Sequence, residues 1–258
     1  MSGTGAGGPG HVDLVAKQFG DRADAYLKSA VHAAGADLDQ LAAIVAARPG
    51  IQVLDLGCGG GHVSFRAAAF AARVVAYDLS ADMLKVVART AAERGLDRLE
   101  VRQGAAESLD FPTASFDIVL SRYSAHHWRD VPAAMAEARR VLKPGGILAI
   151  SDVVAPADPL LDTFLQAVEV LRDPSHVRDY SMADWERMLV RAGFSLTGST
   201  IHRVRLEFGS WIARMNTPDV RADAVRSLQG AVGAEARAYF EVEADGSLTI
   251  DTAVIEAV

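Results

Sequence analysis

The chain is 258 residues long, 50% hydrophobic, 23% charged and 7% aromatic, a mixture that buries enough apolar surface to fold and excludes a disordered chain. Its 26 Lys and Arg stand against 33 Asp and Glu, and the resulting net charge of −7 has the wrong sign for gripping a phosphate backbone, which sets nucleic acid aside as a partner. The lone cysteine, Cys58, allows no internal disulfide and no multi-cysteine zinc site, so no metal is expected and a reducing, cytoplasmic setting is.

Residues 1–11 are Gly-rich, lack the basic and apolar regions of a signal peptide, and read as a flexible tail. Residues 12–258 are expected to form one domain, because α/β domains with insertions reach this length. Val15, Phe19, Ala23, Tyr26, Ala30 and Ala33 recur at helical spacing, and a second helical stretch runs from Leu38 to Ala47, giving a helical entrance over 12–48. Ile51 to Leu56 is a short apolar run suited to a strand buried on both faces. Strand-like and helix-like segments then alternate: Arg73 to Tyr77, Ala81 to Arg94, Leu99 to Arg102, Phe116 to Leu120, Val131 to Leu142 and Ile147 to Val153. That rhythm predicts a parallel sheet covered by helices, the core spanning 51–153. Ser80 and Asp130 are expected as N-caps, with Pro132 in a first turn. Two helices, Leu160 to Leu171 and Met182 to Ala192, fall in a segment over 159–193 that follows a sheet strand. Over 195–258, Ser195 to Phe208 alternates as a strand, Asp219 to Tyr239 is helical, and Glu241 to Ala257 reads as a hairpin turning at Asp245-Gly246. Arg66, Arg73 and Asp78 interrupt the most hydrophobic stretch, so no membrane span is expected.

The chemistry concentrates where the first strand ends. Val53 to His62 runs from strand into a turn with glycine at 57, 59, 60 and 61 and on into a helix, and glycine lets a ligand lie against bare backbone. Asp78 ends the next strand about 20 residues later, where a carboxylate can accept hydrogen bonds from both ribose hydroxyls of an adenosine. A dinucleotide site calls for G-x-G-x-x-G; here the third glycine comes one residue early, and Asp55 precedes the turn. That extra carboxylate suits a ligand carrying positive charge better than one carrying two phosphates, and S-adenosylmethionine is such a ligand.

The segments Val53 to Gly61, Val75 to Leu84, Ser115 to Val119 and Arg140 to Gly146 together resemble class I S-adenosylmethionine-dependent methyltransferases, in particular the small-molecule group with a methyltransferase type 11 domain that includes the ubiquinone and menaquinone C-methyltransferases. The resemblance implies an α/β, Rossmann-like, doubly wound seven-stranded sheet, mostly parallel with an antiparallel last strand near Thr249 to Val258, plus N-terminal helices and a helical cap over the substrate. It also implies roles. Gly57 and Gly59 line the methionine and ribose part of the cofactor and Gly61 opens the helix; Asp78 binds the ribose; Leu79 and Met83 pack on the adenine; Asp55 acts through the turn and the ammonium end. After the third strand the family often carries an acid toward the adenine amino group. Here the stretch reads Gln103-Gly104-Ala105-Ala106-Glu107, which leaves that end to the backbone at Ala105 and Ala106 or to Glu107. Ser121 and Arg122 contact the methionine end largely through backbone. Tyr26, on an N-terminal helix that closes over the cofactor, reaches the methionine carboxylate, although Phe19 and Tyr26 also have the spacing of ordinary core residues.

The methyl acceptor, a small molecule, is expected beyond the strand Phe116 to Leu120, since ligands of open α/β sheets bind outside the carboxyl ends of the strands. His126 is the first candidate base there and His127 the second, with the alternative that neither acts as one. Tyr123 and Trp128 offer ring faces to the sulfonium or pack in the core. His176 and Arg178 either clamp the acceptor or pair with Asp173 and Asp179. Cys58 reads as a small inert turn residue, with a reactive thiol as the competing view. Two other functions remain open at this point: an NAD-dependent oxidoreductase, and a non-catalytic S-adenosylmethionine-binding subunit of a partner. The sequence leaves the oligomeric state unknown.

Overall fold

A computed structural model of the chain describes residues 10–20 and 34–258. Two helices enter first, α1 (His11–Gly20) and α2 (Ala36–Ala46), followed by β1 (Gln52–Leu56), α3 (His62–Ala67), β2 (Arg73–Asp78), α4 (Ala81–Glu93) and β3 (Leu99–Gln103). Next come β4 (Phe116–Arg122), a 3₁₀ turn (Ala125–His127), α5 (Val131–Val141), β5 (Leu142–Val153), α6 (Pro159–Arg172) and α7 (Met182–Arg191). The chain closes with β6 (Leu196–Leu206), α8 (Phe208–Met215), α9 (Asp219–Ala231), α10 (Ala234–Tyr239) and β7 (Leu248–Ala257).

The strands form one seven-stranded sheet in the order β3-β2-β1-β4-β5-β7-β6. The first five are mutually parallel, and β7 lies antiparallel between β5 and β6. The strand order reverses between β1 and β4, and at such a switch point the loops beyond the strand ends part to leave a crevice.

Both faces of the central strands are covered. Leu54, Leu56, Val75 and Val119 pack with α5 and α7, whereas Val53, Val74, Ile118 and Leu120 pack with α2 and α3. Helix α7 shows how local and global signals agree. Ser181 and Asp184 make a reciprocal capping box, and Trp185, Met188 and Leu189 are buried on one face, each worth about 1.5–3 kcal/mol. The expected caps form as well: Ser80 accepts from the Met83 N–H at 3.3 Å, and Asp130 accepts from the Ala133 N–H at 2.9 Å.

Several expectations need correction. Glu241 to Ala257 is no hairpin, because β5 and β6 take both edges of β7 and leave none for a local partner; Asp245 instead caps a turn through the Ser247 N–H at 2.8 Å. The helix expected over Asp219 to Tyr239 breaks at Val232 and Gly233, and Phe208, expected to end a strand, instead opens the helix Phe208–Met215. His11, placed in the tail, opens α1, while Tyr26 lies outside the described residues and the side chain of Phe19 is likewise not described. No helix among the described residues is long and apolar enough to cross a membrane.

Candidate active site

The backbone turn after β1 is held by the neighbouring strand: the N–H groups of Gly57 and Cys58 both donate to the carbonyl of Tyr77, at 2.8 and 3.0 Å. Gly57 has φ +70°, and a Cβ there would stand 1.9 Å from the Ser124 hydroxyl oxygen, so only glycine fits. Gly59, at φ +48°, has nothing within 4 Å of the place a Cβ would take, so its open side faces free space. Gly61, also left-handed at φ +81°, is the N-cap of α3.

That free space is a cavity of about 520 Å³ at the carboxyl ends of β1, β2 and β4. It brings together Gly57, Gly59, Asp78, Leu79, Met83, Ala105, Ala106, Glu107, Arg122, Tyr123, His127 and Trp128 of the residues expected at the site. The cavity lies where the parallel sheet directs its ligands, and its size is in the usual range of small-molecule sites.

Asp78 closes β2 beside the turn. One carboxylate oxygen accepts from the Gly59 N–H and the other from the Ser80 N–H, both at 2.8 Å. Burial raises its pKa against the lowering effect of those backbone donors. Each oxygen keeps acceptor capacity for a ligand hydroxyl. Asp55 is 1% exposed and lies behind the turn rather than on the cavity wall. Its Oδ2 accepts from the Ser64 hydroxyl at 2.6 Å, its Oδ1 is buried with no hydrogen-bond partner among the described residues, and burial pushes its carboxyl up to about 7. The Cys58 thiol is raised well above its ordinary value by burial and by the Asp78 and Asp55 carboxylates, which keeps it protonated and unreactive.

At the rim of the cavity, Glu107 accepts the Arg129 N–H at 2.9 Å, tying the loop after β3 to the loop after β4. Ser121 is buried and off the wall, its hydroxyl unpartnered among the described residues. Arg122 lines the cavity, but its guanidinium forks onto Asp37 of α2 at 2.5 and 3.1 Å, a pairing that sequence gave no means to see. Tyr123 sits in the left-handed region at φ +50°, a conformation costly for a side chain with a Cβ. Trp128 packs in the core and also lines the cavity, its indole N–H donating to the Ser124 hydroxyl oxygen at 3.0 Å.

The histidines separate. His126 does not line the large cavity; its Nδ1 is 2.5 Å from Asp152. Burial disfavours its cation, yet Asp152 more than compensates and lifts its pKa to about 9, so at neutral pH it carries its proton already and is unsuited to accept another. His127 is on the wall, with Nδ1 3.1 Å from the Ser175 carbonyl and Nε2 3.9 Å from Asp173. Burial and the neighbouring His126 cation hold it neutral, with a pKa down to about 3. His176 is buried, bonded through Nε2 to Gln166 at 2.9 Å, and Arg178 pairs with Asp162 at 2.6 Å rather than with Asp173 or Asp179. Neither lines the large cavity.

Residues that sequence reasoning missed also stand here. His11, Val12 and Val15 of α1 form part of the wall, and the His11 ring meets the His127 carbonyl at 3.0 Å. Asp152, an acid closing β5, carried a readable signal because strand-end acids face the ligand edge; Asp37, Ser124 and Asp173 carried none.

A family model described as a methyltransferase domain matches residues 54–150. The chain is 47% identical to YafE of Escherichia coli over 201 residues, covering 78% of this chain and 97% of that protein. It is 35% identical to the methyltransferase YcgJ of Bacillus subtilis over 222 residues, 86% of this chain and 88% of the relative, and it superposes on the crystal structure of YcgJ with a TM-score of 0.83 over 86% of this chain and 97% of that one. Over 116 residues, 44% of this chain and 41% of the relative, it is 40% identical to nocamycin O-methyltransferase of Saccharothrix syringae.

Proposed function

The chain belongs to the class I S-adenosylmethionine-dependent methyltransferases with a type 11 methyltransferase domain, and from that premise we propose that it moves a methyl group from S-adenosylmethionine to an oxygen or carbon nucleophile of a small organic molecule. Family membership leaves no room for the oxidoreductase alternative. The observation that carries the proposal is the contact between the Asp78 carboxylate and the Gly59 N–H at the mouth of the 520 Å³ cavity. The open side of Gly59 leaves the ligand a stretch of bare backbone.

When bound, S-adenosylmethionine supplies a sulfonium methyl carbon with a good leaving group. The chain's own residues then position and desolvate. Asp78 accepts the ribose hydroxyls, Gly57 and Gly59 admit the methionine and ribose against the main chain, and Leu79, Met83, Ala105 and Ala106 enclose the adenine, with Glu107 holding the rim. Arg122 borders the methionine end while Asp37 fixes its side chain. Tyr123 and His127 face the acceptor; His127, kept neutral, orients an acceptor hydroxyl and is not burdened with a permanent charge. His126 serves as a fixed cation behind it, so alignment and water exclusion contribute most of the rate and a dedicated base little. The nocamycin O-methyltransferase named above supports an acceptor of small-molecule type. A reducing, cytoplasmic setting agrees with the single free cysteine.

The test is incubation with methyl-labelled S-adenosylmethionine and a panel of hydroxylated and enolisable small molecules. Label is expected in an organic product with stoichiometric S-adenosylhomocysteine, and His127→Gln is expected to slow turnover by about tenfold while leaving cofactor affinity intact. Cofactor binding with no transfer to any acceptor would instead favour the non-catalytic, partner-stabilising alternative.

A further inference from the structure

Tyr123 and His127 also line a second recess of about 90 Å³, which adjoins the large cavity at these two residues. Val153, Leu206, Trp211 and Ile250 give it apolar walls. Its volume holds roughly six to nine water-sized groups, the bulk of one ring.

One of its acids has no hydrogen-bond partner among the described residues. Asp179 is 1% exposed, and neither of its carboxyl oxygens meets a donor among the described residues; the His176 Nε2 is 4.0 Å away. A buried carboxyl left unsatisfied costs stability, and such groups persist where a ligand completes them. The position is also built. Gln166 of α6 holds the Asp179 peptide from both sides, accepting its N–H at 3.1 Å and donating to its carbonyl at 2.9 Å. The loop before it is clasped to the cofactor side, since the N–H groups of Val177 and Arg178 both donate to the His126 carbonyl, at 2.8 and 3.2 Å.

The charges around the recess balance in number. Glu169 pairs with Arg172 at 3.1 Å and His126 with Asp152 at 2.5 Å, and the walls add one acid, Asp173, and one base, Arg214. Burial holds the Asp179 carboxyl well above the usual carboxylate range, so it is an uncharged acid with one donor and one acceptor to offer. A charged ligand would add an unmatched charge to a dry pocket, whereas an uncharged oxygen-bearing ring would not.

Resting on the methyltransferase reading above, we infer that this recess receives the acceptor as a compact uncharged ring, and that the Asp179 carboxyl hydrogen-bonds the ring's hydroxyl or carbonyl oxygen and so fixes which atom faces the methyl donor. Asp179 is a positioning residue for specificity, and it lies outside the cofactor cavity.

The test uses the full-length protein saturated with S-adenosylhomocysteine and three single-ring probes: catechol, uncharged; benzylamine, a cation; and benzoate, an anion. Affinities are read by ligand-observed NMR. Catechol is expected to bind best. Asp179→Asn keeps an uncharged donor and acceptor and is expected to hold catechol within about threefold, whereas Asp179→Leu is expected to weaken it about tenfold or more. Val204→Phe, which fills the recess from its edge, is expected to do the same and provides an independent variant should the leucine variant not fold. S-adenosylhomocysteine affinity stays at the wild-type value throughout. Catechol that fails to bind, catechol indifferent to Asp179→Leu and Val204→Phe, or benzylamine that binds best and is lost in Asp179→Asn would each overturn the inference. A wild-type protein that ignores S-adenosylhomocysteine would overturn the methyltransferase reading instead.

Discussion

The large cavity and the recess adjoining it are built by opposite means. The cofactor side is made of main chain: glycines in left-handed conformations, N–H groups turned onto Tyr77, and one carboxylate at a strand end. The recess is made of side chains drawn from α6, the loop after it, the β4–α5 turn, α8 and the strands β5, β6 and β7, with pairs such as His126 with Asp152 and Arg172 with Glu169. A backbone site can serve one invariant ligand, and a side-chain site can be altered residue by residue without disturbing it. Among the described residues, Tyr123 and His127 line both spaces.

The sharpest way to break that contrast is at the glycines. Gly57→Ala drives a methyl into the Ser124 hydroxyl in a left-handed conformation, and denaturant unfolding should show a loss of about 4 kcal/mol together with loss of cofactor binding. An unchanged midpoint would mean that the turn is not held as described.

The buried histidines impose opposite pH dependences on stability. His126, whose pKa is raised to about 9 when folded, contributes stability that is complete below its unfolded value of about 6.5 and is lost as pH rises through 9, amounting to about 3 kcal/mol. His127 and His176, depressed to about 3 by burial, work the other way: their contribution is present above about 6.5 and is lost as pH falls. Below about pH 6.5 the raised carboxyls of Asp55 and Asp179 oppose these two histidines, so chemical denaturation should show the alkaline limb clearly, with His126→Gln flattening it. A wild-type profile flat from pH 6.5 to 9 would contradict the His126–Asp152 pair.

Gly59→Ala sharpens the contrast with Gly57→Ala, since its methyl meets no protein atom and enters the space left for the ligand. The protein is expected to fold with about 1 kcal/mol of backbone strain while S-adenosylhomocysteine affinity falls about tenfold by calorimetry. Undiminished affinity would move the ligand away from this turn. The smallest effect belongs to Arg178→Ala. Its pair with Asp162 is partly exposed, so the cost is expected to stay below about 1 kcal/mol with turnover unaltered, and a large loss of turnover would revive the clamp.

The same contrast decides what could be read from the chain alone. Local signals with a fixed geometry were legible: the β1 run and its glycine turn, Asp78 at the next strand end, and the Ser80 and Asp130 caps each depend on residues close in sequence. The false hairpin at Asp245-Gly246 shows the limit, because the turn forms but β7 finds its partners in β5 and β6, far back in the chain. The fates of His126, His176 and Arg122 were set by Asp152, Gln166 and Asp37, and the Arg122–Asp37 contact spans 85 residues. No periodicity or spacing encodes such a pairing; it follows from which helix the sheet brings alongside. His126, the first candidate base, lies off the large cavity and on Asp152, a partner that only folding supplies.

The most direct measurement is calorimetric titration of S-adenosylhomocysteine into the wild-type protein and Asp78→Ala. Tight binding by the wild type and a loss of at least about tenfold in the variant is the expected result, since two charge-assisted hydrogen bonds to ribose disappear with the carboxylate. Equal affinity of the two proteins would contradict the placement of the nucleoside between β1 and β2.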